Sequence, residues 1–366
     1  MTENETIALL RLQRIPGLGP VWAKKLVALA GGPRAVFEDP LLPARTKMRP
    51  EMEASLRDLR FQKAAEAEYA FASRMGLGCL TYLCPEYPAR LAHCDDGPVV
   101  LFSKGAISLN NKRVLAVVGT RAMTGYGRRF CEAFIAGLAP YQPVVISGLA
   151  FGVDVCAQKA ALEHGLQTVA CMAHGLDQVY PGAHARLSPR LEENGGFLSE
   201  FWSGTAPEPH HFLMRNRIIA GLAEATVVVE SAARGGSLVT ADQAFGYNRE
   251  VFAVPGRAGD TFSEGCNGLI RQQKAQLLTS AEQFLEAMGW GEPIAPTDKE
   301  PMPIPGHWSE MEKKLAAFFR EQTEPSLDEL ARGCDLPVQK VAAALFDLEL
   351  QGFVRPLPGK KYTWSG

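Results

Sequence analysis

The chain has 366 residues, of which 46% are hydrophobic and 21% are charged, and its formal net charge is −2 at pH 7. This composition is typical of a globular protein with a substantial core, and the length suits two or three domains. The near-neutral charge excludes a broadly basic nucleic-acid-binding surface, so any such site must be a local cluster of cations. No run of 18 apolar residues occurs, and the first residues include acids where a signal peptide has positive charge, so we expect a cytoplasmic protein without a membrane span.

Residues 1–75 have a helical pattern and are predicted to form the first domain. The string P-G-L-G-P-x-x-A-x-x-L within it is a helix-hairpin-helix or SAM-like pattern, in which Gly17 and Gly19 permit a tight turn between two helices. Such a turn can offer backbone N–H groups to a DNA phosphate, or it can serve as a packing module without DNA contact. The sequence leaves both interpretations open.

Residues 76–288 are predicted to form the core domain, with residues 76–111 as a leading extension that contains one short strand, PVVLFSKG. Short apolar runs then alternate with helical patterns. The runs are VLAVVG (114–119), VVISG (144–148), TVACMA (168–173), TVVVES (226–231) and VFAVPG (251–256), with FLSEF (197–201) a weaker candidate. Strands that are apolar at nearly every position are buried on both faces. The alternation therefore predicts an α/β fold, a Rossmann-like, doubly wound, mostly parallel sheet.

Residues 289–307 contain five prolines and are predicted to be a linker, and residues 308–366 are predicted to be a winged-helix domain. Ser326 and Glu329 are predicted to form a capping box at the start of its second helix. The third helix has two polar residues suited to DNA near its start and two acids later: Gln339, Lys340, Asp347 and Glu349. Protein contact or structural support is at least as well supported here as DNA binding.

The first candidate binding turn follows the strand 114–118 and contains Gly119, Thr120 and Arg121. A parallel strand that feeds a helix start places free N–H groups and the positive end of the helix dipole at one point, which favours an anion. Arg121 adds a guanidinium suited to phosphate. The G-x-G-x-x-G and G-x-x-x-x-G-K-[ST] spacings are absent, so neither dinucleotide binding nor ATP hydrolysis is predicted.

The second turn contains Ser147 and Gly148 and leads to Asp154, which is predicted to be the N-cap or an acid in the first turn of the following helix. Lys159 lies later on that helix and by itself is best interpreted as a surface lysine. The third segment has Arg215 and Arg217 on either side of Asn216. Two arginines spaced i and i+2 do not share one helix face, so one suits a phosphate and the other a structural pair.

The fourth segment ends a strand at Glu230 and opens a helix at Arg234, Gly235, Gly236 and Ser237. Because the carboxyl ends of parallel strands meet at one edge of a sheet, these turns are expected to form one phosphate-binding groove. Glu230 or Asp154 could act as a general acid or base at this edge, but helix capping and loop hydrogen bonding explain both residues without catalysis, and no catalytic set is predicted.

Metal and disulfide chemistry are not predicted either. No C-x-x-C pair occurs, so the cysteines are interpreted as small buried residues in a reducing compartment. A cluster of Cys84, His93 and Cys94 lacks a second ligand pair nearby. His210 and His211 lack a surrounding carboxylate–histidine pattern and are interpreted as polar loop residues.

Six motifs follow one another between residues 119 and 256: G-T-R-x-x-x-x-Y-G, S-G-L-A-x-G-V-D, G-L-D-x-x-Y-P, R-N-R-I-I-A-G-L, G-G-S-L-V-T-A and V-F-A-V-P-G. In this order they resemble the DNA-processing protein A family, also called Smf, and the flanking segments resemble its terminal domains. The resemblance implies a Rossmann-like core that binds single-stranded DNA in a positive pocket, forms a homodimer, and helps load the RecA recombinase in natural transformation. It implies no cofactor. The matching positions are Gly119, Thr120, Arg121, Ser147, Gly148, Lys159, Arg215, Asn216, Arg217, Gly236 and Ser237.

Some positions depart from the family pattern. Family members commonly have Ser at position 120, His at 158 and Asn at 184, where this chain has Thr120, Gln158 and His184. Two other functions are open on the residues alone. One is a nucleotide-processing enzyme of the phosphoribohydrolase type, although residues 235–242 only partly match its motif. The other is an adaptor whose winged helix recruits partners.

Overall fold

A computed structural model describes residues 1–110, 113–293, 308–321, 325–351, 353–357 and 361–364. The chain divides into two compact units, Met1–Ile294 and Ala295–Gly366. The predicted linker, residues 289–307, lies largely outside the described residues. Its described start packs on the first unit, because the Trp290 side chain is buried with its ring 5.1 Å from that of Phe284.

The first unit begins with six helices that pack around an apolar cluster containing Leu9, Leu12 and Leu26, to which Val100 and Phe102 of the sheet also contribute. A capping box between Thr2 and Glu5 starts the first helix, and Gly17 adopts a left-handed φ of 75° in the turn before the second. The six helices are α1 (Glu3–Arg14), α2 (Pro20–Ala30), α3 (Ala35–Glu38), α4 (Leu42–Thr46), α5 (Pro50–Arg57) and α6 (Leu59–Arg74).

A nine-stranded sheet forms the centre of the first unit, in the order β1-β2-β6-β5-β4-β3-β7-β8-β9. The seven strands β6, β5, β4, β3, β7, β8 and β9 are parallel to one another. Strand β2 pairs antiparallel with β6, and β1 pairs antiparallel with β2. The nine strands are β1 (Gly78–Thr81), β2 (Val100–Lys104), β3 (Val114–Val118), β4 (Val144–Ser147), β5 (Thr168–Cys171), β6 (Gly195–Ser199), β7 (Ala225–Val228), β8 (Glu250–Ala253) and β9 (Gln276–Leu277). The predicted doubly wound, mostly parallel sheet is confirmed, and FLSEF belongs to β6. The sequence did not predict β1 or β9.

Helices cover both faces of the sheet, and the side chains of β3 show the division. Val114 and Ala116 belong to one buried cluster, whereas Leu115 and Val117 belong to the other, as the alternation of side chains along a strand requires. The helices of this region are α7 (Ala89–Ala92), α8 (Gly125–Leu138), α9 (Val153–Glu163), α10 (Ser188–Glu193), α11 (Pro209–Leu222), α12 (Gly236–Gly246), α13 (Glu264–Arg271) and α14 (Ala281–Met288).

The second unit has the three helices and two antiparallel strands expected of a winged helix. The predicted capping box is confirmed, because the Ser326 hydroxyl accepts from the Glu329 amide while the Glu329 carboxylate accepts from the Ser326 amide. The elements are α15 (Glu310–Glu321), α16 (Leu327–Gly333), α17 (Val338–Leu350), β10 (Val354–Leu357) and β11 (Lys361–Trp364). Among the described helices of both units, none has the length and apolar character needed to cross a bilayer.

All eight cysteines are free thiols, and six of them are buried. Burial raises the pKa of the Cys171 and Cys266 thiols to about 12. These two thiols therefore act as small apolar groups of the core, in agreement with the sequence analysis.

Candidate nucleic-acid interface

A cleft of about 540 Å³ opens beyond the carboxyl ends of β3 and β7. These two strands are neighbours in the sheet, but the chain leaves β3 toward β4 on one side and leaves β7 toward β8 on the other. They therefore form the topological switch point of the sheet, where doubly wound folds bind ligands. The cleft is lined by the β3 turn, by the first turns of α11 and α12, and by Tyr180.

Arg215 forms the floor of the cleft and is almost fully buried, with 3% of its surface exposed. Its guanidinium donates to the carbonyl oxygens of Gly148, at 3.0 Å, and Cys171, at the ends of β4 and β5. Gly148 makes this approach possible, because a Cβ there would lie 2.3 Å from the Arg215 Nη1. Gly148 and Arg215 are thus in contact with each other, and the Arg215 guanidinium lies at the base of the cleft.

Asp154 is the carboxylate whose charge acts most strongly on Arg215. Its Oδ2 accepts from the amides of Gly148 at 3.2 Å and Ala150 at 3.4 Å, so it organises the loop after β4. Burial raises the pKa of Asp154, and the Arg215 charge opposes that shift; burial likewise lowers the pKa of Arg215, and Asp154 opposes it. Ser147 is fully buried and donates to the Val117 carbonyl at 2.7 Å, so its hydroxyl joins β4 to β3 and does not reach the cleft.

The helix start after β3 differs from the expectation of free N–H groups. The Thr124 hydroxyl accepts from the amides of Tyr126 and Gly127, and the buried Glu230 carboxylate accepts from the amide and hydroxyl of Thr124. The amides of Thr124, Tyr126 and Gly127 are thus bound within the protein, and a ligand cannot use them without breaking these bonds. Gly119 allows β3, β7 and α9 to meet here, since a Cβ would lie 2.5 Å from the Val153 side chain.

The start of α12 is instead open to the cleft. Its N-cap is Gly235, which has no side chain to accept from the first amides, and Gly236 is exposed. The Ser237 hydroxyl donates to Ser231 at 2.9 Å, and the Asn216 amide donates to the Gly236 carbonyl at 3.3 Å, which fixes the turn against α11. An uncapped helix start that faces a cleft is an anion site by both its free amides and its dipole.

Arg121 is exposed at the mouth of the cleft, and its guanidinium carbon lies 5.2 Å from the centre of the Phe212 ring. The Phe212 and Tyr180 ring centres are 6.0 Å apart. No carboxylate of the described chain lies within ion-pair distance of Arg121. The mouth therefore offers one cation suited to phosphate beside two aromatic rings suited to stacking on a base. Tyr180 was quoted within a sequence motif but was not predicted as a site residue.

Two predicted residues lie apart from the cleft. Arg217 faces the other side of α11, where it pairs with the buried carboxylate of Glu200 and donates to the Asp96 carbonyl at 2.6 Å. This is the structural pair that the i and i+2 spacing allowed for one of the two arginines. Lys159 is exposed on α9, six residues after the helix begins, which is about 9 Å along its axis. Neither side chain lines the cleft.

Comparison with known families gives two matches along the chain. The model described as DNA recombination-mediator protein A matches residues 78–289, and the model described as DprA winged helix domain matches residues 305–360. Together they span the sheet with its cleft and most of the second unit.

Individual relatives agree with the family models. Protein Smf of Escherichia coli (strain K12) is 39% identical over 277 residues, which is 75% of this chain and 74% of that protein. The X-ray structure of DNA processing protein A from Streptococcus pneumoniae matches 78% of this chain and 98% of its own, with 31% identity and a TM-score of 0.63. DNA processing protein A from Helicobacter pylori, whose structure was described for its single-stranded DNA binding mode, matches 58% of this chain and 95% of its own, with 27% identity and a TM-score of 0.53.

Proposed function

The chain belongs to the DNA recombination-mediator protein A family, the group that its motifs resemble, and on this basis we propose that its cleft binds single-stranded DNA without catalysing a reaction. The observation that supports this most is the open start of α12 opposite the unpaired Arg121. The cleft is a local cationic site on a chain of net charge −2, as the composition required.

We propose that one phosphate lies between Arg121 and the amides of Gly236 and Ser237. Arg215 contributes through its buried charge, because a charge beneath a cleft with apolar walls acts at a lower effective dielectric constant than one in water. A base next to that phosphate would stack on Phe212 or Tyr180. This arrangement suits single strands, because a duplex keeps its base faces stacked on one another.

The absence of catalysis is supported by the two acids near the cleft. Both carboxylate oxygens of Glu230 accept hydrogen bonds from Thr124, and Asp154 Oδ2 accepts from two loop amides. Each acid thus makes structural contacts, and Glu230 is not among the residues that line the cleft. Among the described residues that line the cleft, Asp154 is the only carboxylate, so the phosphoribohydrolase alternative would have to use an acid that already holds the loop after β4.

Family membership also supports a finer proposal. We propose that the bound strand is protected and passed to the RecA recombinase during natural transformation, and that the working species is a homodimer. Sedimentation of the full chain at micromolar concentration tests the dimer. The time lag of RecA filament growth on a coated single strand, with and without this protein, tests the loading.

The binding proposal is tested by fluorescence anisotropy of a labelled single-stranded oligonucleotide and of its duplex, each titrated with the full chain. We expect the single strand to bind at least about tenfold more tightly, a difference of about 1.4 kcal/mol. Equal affinities would contradict the proposed stacking. Release of free base from a nucleoside monophosphate, abolished by Glu230→Gln, would contradict the absence of catalysis.

A further inference from the structure

Three side chains at the start of α11 bring together atoms that bind transition metals. Glu208, His210 and His211 each offer one ligand atom, and these atoms all lie within 4.8 Å of one another. The Glu208 and His210 side chains are 57% and 63% exposed, so an ion reaches them from solvent without any rearrangement of the core. The two histidines were predicted to be polar loop residues, but the structure places both in the first turn of α11, just after Glu208.

One distance within this group is close to that of a tetrahedral site. The Glu208 Oε2 lies 3.5 Å from the His210 Nδ1, which is long for a hydrogen bond. In a tetrahedral zinc site with metal–ligand bonds of about 2.0–2.1 Å, two ligand atoms stand about 3.3–3.4 Å apart. The pair is therefore already spaced like one edge of such a site.

His211 is oriented in the way that ligating histidines usually are. Its Nδ1 donates to the Ala206 carbonyl oxygen at 3.0 Å, which leaves the lone pair of Nε2 free. Its ring is also held against the Phe201 ring, with 4.4 Å between their centres. This hydrogen bond keeps the proton of His211 on Nδ1, which is the tautomer that leaves Nε2 for a metal, and its acceptor is a backbone carbonyl outside the three ligands.

We propose that Glu208, His210 and His211 form a three-ligand site for a first-row transition metal such as Zn²⁺, with the fourth position open to water or to a phosphate oxygen. Two imidazoles and one carboxylate favour such a metal over Mg²⁺ or Ca²⁺, which prefer oxygen ligands throughout. The dipole of α11 opposes a cation at this end, and the Glu208 carboxylate offsets it. Pro207 and Pro209 line the DNA cleft, so a bound ion adds positive charge at its border.

The test is isothermal titration calorimetry of the DNA-free full chain with ZnCl₂, which does not depend on the proposed DNA binding. We expect one equivalent of Zn²⁺ to bind, and we expect Glu208→Gln and His210→Ala each to weaken binding by at least about tenfold. His164→Ala, at the exposed end of α9, is the matched control and is expected to bind as the wild type does. Unchanged binding in the two ligand variants, or no Zn²⁺ binding by the wild type in the micromolar range, would overturn the site.

Cobalt substitution provides a second readout, because cysteine thiolates in general also bind zinc and the chain has eight cysteines. We expect the absorption of a tetrahedral Co²⁺ site with nitrogen and oxygen ligands, lost in His210→Ala. A thiolate-to-cobalt charge-transfer band that persists in His210→Ala would place the ion at cysteines and refute the assignment. Circular dichroism of each variant checks that the fold is retained, which we expect because both substituted side chains are largely exposed.

Discussion

Gly148→Ala tests whether the floor of the cleft depends on close contact between a glycine and a buried guanidinium. The added Cβ would lie 2.3 Å from Nη1, 2.4 Å from Nη2 and 2.5 Å from Cζ of Arg215. The Gly148 backbone is outside the left-handed region, so the alanine itself is not strained and the cost arises from displacing the guanidinium. Arg215 then weakens its bonds to the Gly148 and Cys171 carbonyls, and hydrogen bonds to charged groups contribute about 1.5–3 kcal/mol each.

We therefore expect Gly148→Ala to lower the free energy of unfolding by about 2–4 kcal/mol, measured as a shift of the urea midpoint at constant slope. Gly236→Ala is the matched control, because a Cβ at this other cleft glycine meets nothing within 4 Å, and we expect it to change stability by less than about 0.5 kcal/mol. A double-mutant cycle isolates the contact. In an Arg215→Ala background the clash is gone, so Gly148→Ala is expected to cost almost nothing. The reasoning is refuted if Gly148→Ala costs as much in that background as in the wild type.

Three further substitutions separate binding from stability. Gly236→Asp places a carboxylate at the start of α12, so we expect it to stabilise the helix by about 0.3–1 kcal/mol in urea titrations and to weaken single-strand binding by about 1–4 kcal/mol. Gly246→Asp at the other end of α12 is the control, and weaker binding in both variants would argue against an anion site. Phe212→Ala is expected to cost about 1–3 kcal/mol of single-strand affinity, measured by anisotropy, with no change in the salt dependence of binding. The control is Phe245→Ala, because Phe245 is an exposed phenylalanine near the end of α12, and equal losses in the two variants would exclude stacking at the cleft. Arg217→Ala leaves the buried Glu200 carboxylate without its partner, so we expect a loss of about 3–5 kcal/mol in the free energy of unfolding and an unchanged salt dependence of single-strand binding. A weaker salt dependence with unchanged stability would instead place Arg217 on the DNA.

The sheet and the winged helix could be predicted from local patterns. Strand β3 lies between two helical layers, so each residue from Val114 to Val118 is buried, and that continuous apolar run is visible in the sequence. The capping box of Ser326 and Glu329 depends only on a spacing of three residues. Strand β9 has two exposed residues and no apolar run, and for this reason the sequence did not indicate it.

The site residues were harder to predict, because their roles depend on residues distant in the sequence. Arg215 is directed to Gly148 and Cys171, which are 67 and 44 positions away, and no local pattern records those contacts. Thr124 caps the amides of Tyr126 and Gly127 at the start of α8, and it is itself held by Glu230 from the end of another strand, a contact that no local pattern indicates. Spacing correctly indicated that two arginines at i and i+2 face different ways, but only the fold shows that Arg217 is the one bound to a carboxylate.

The central claim is that a single strand binds through a phosphate at the mouth of the cleft. The most direct measurement is the salt dependence of single-strand affinity, by anisotropy, for the wild type, Arg121→Ala and Arg128→Ala. Arg128 is the control, because it is an exposed arginine on α8 that pairs with Glu132. We predict that Arg121→Ala weakens binding by about 1–3 kcal/mol and lowers the slope of log affinity against log salt by about 0.7, while Arg128→Ala changes neither. Wild-type affinity and slope in Arg121→Ala would contradict the claim.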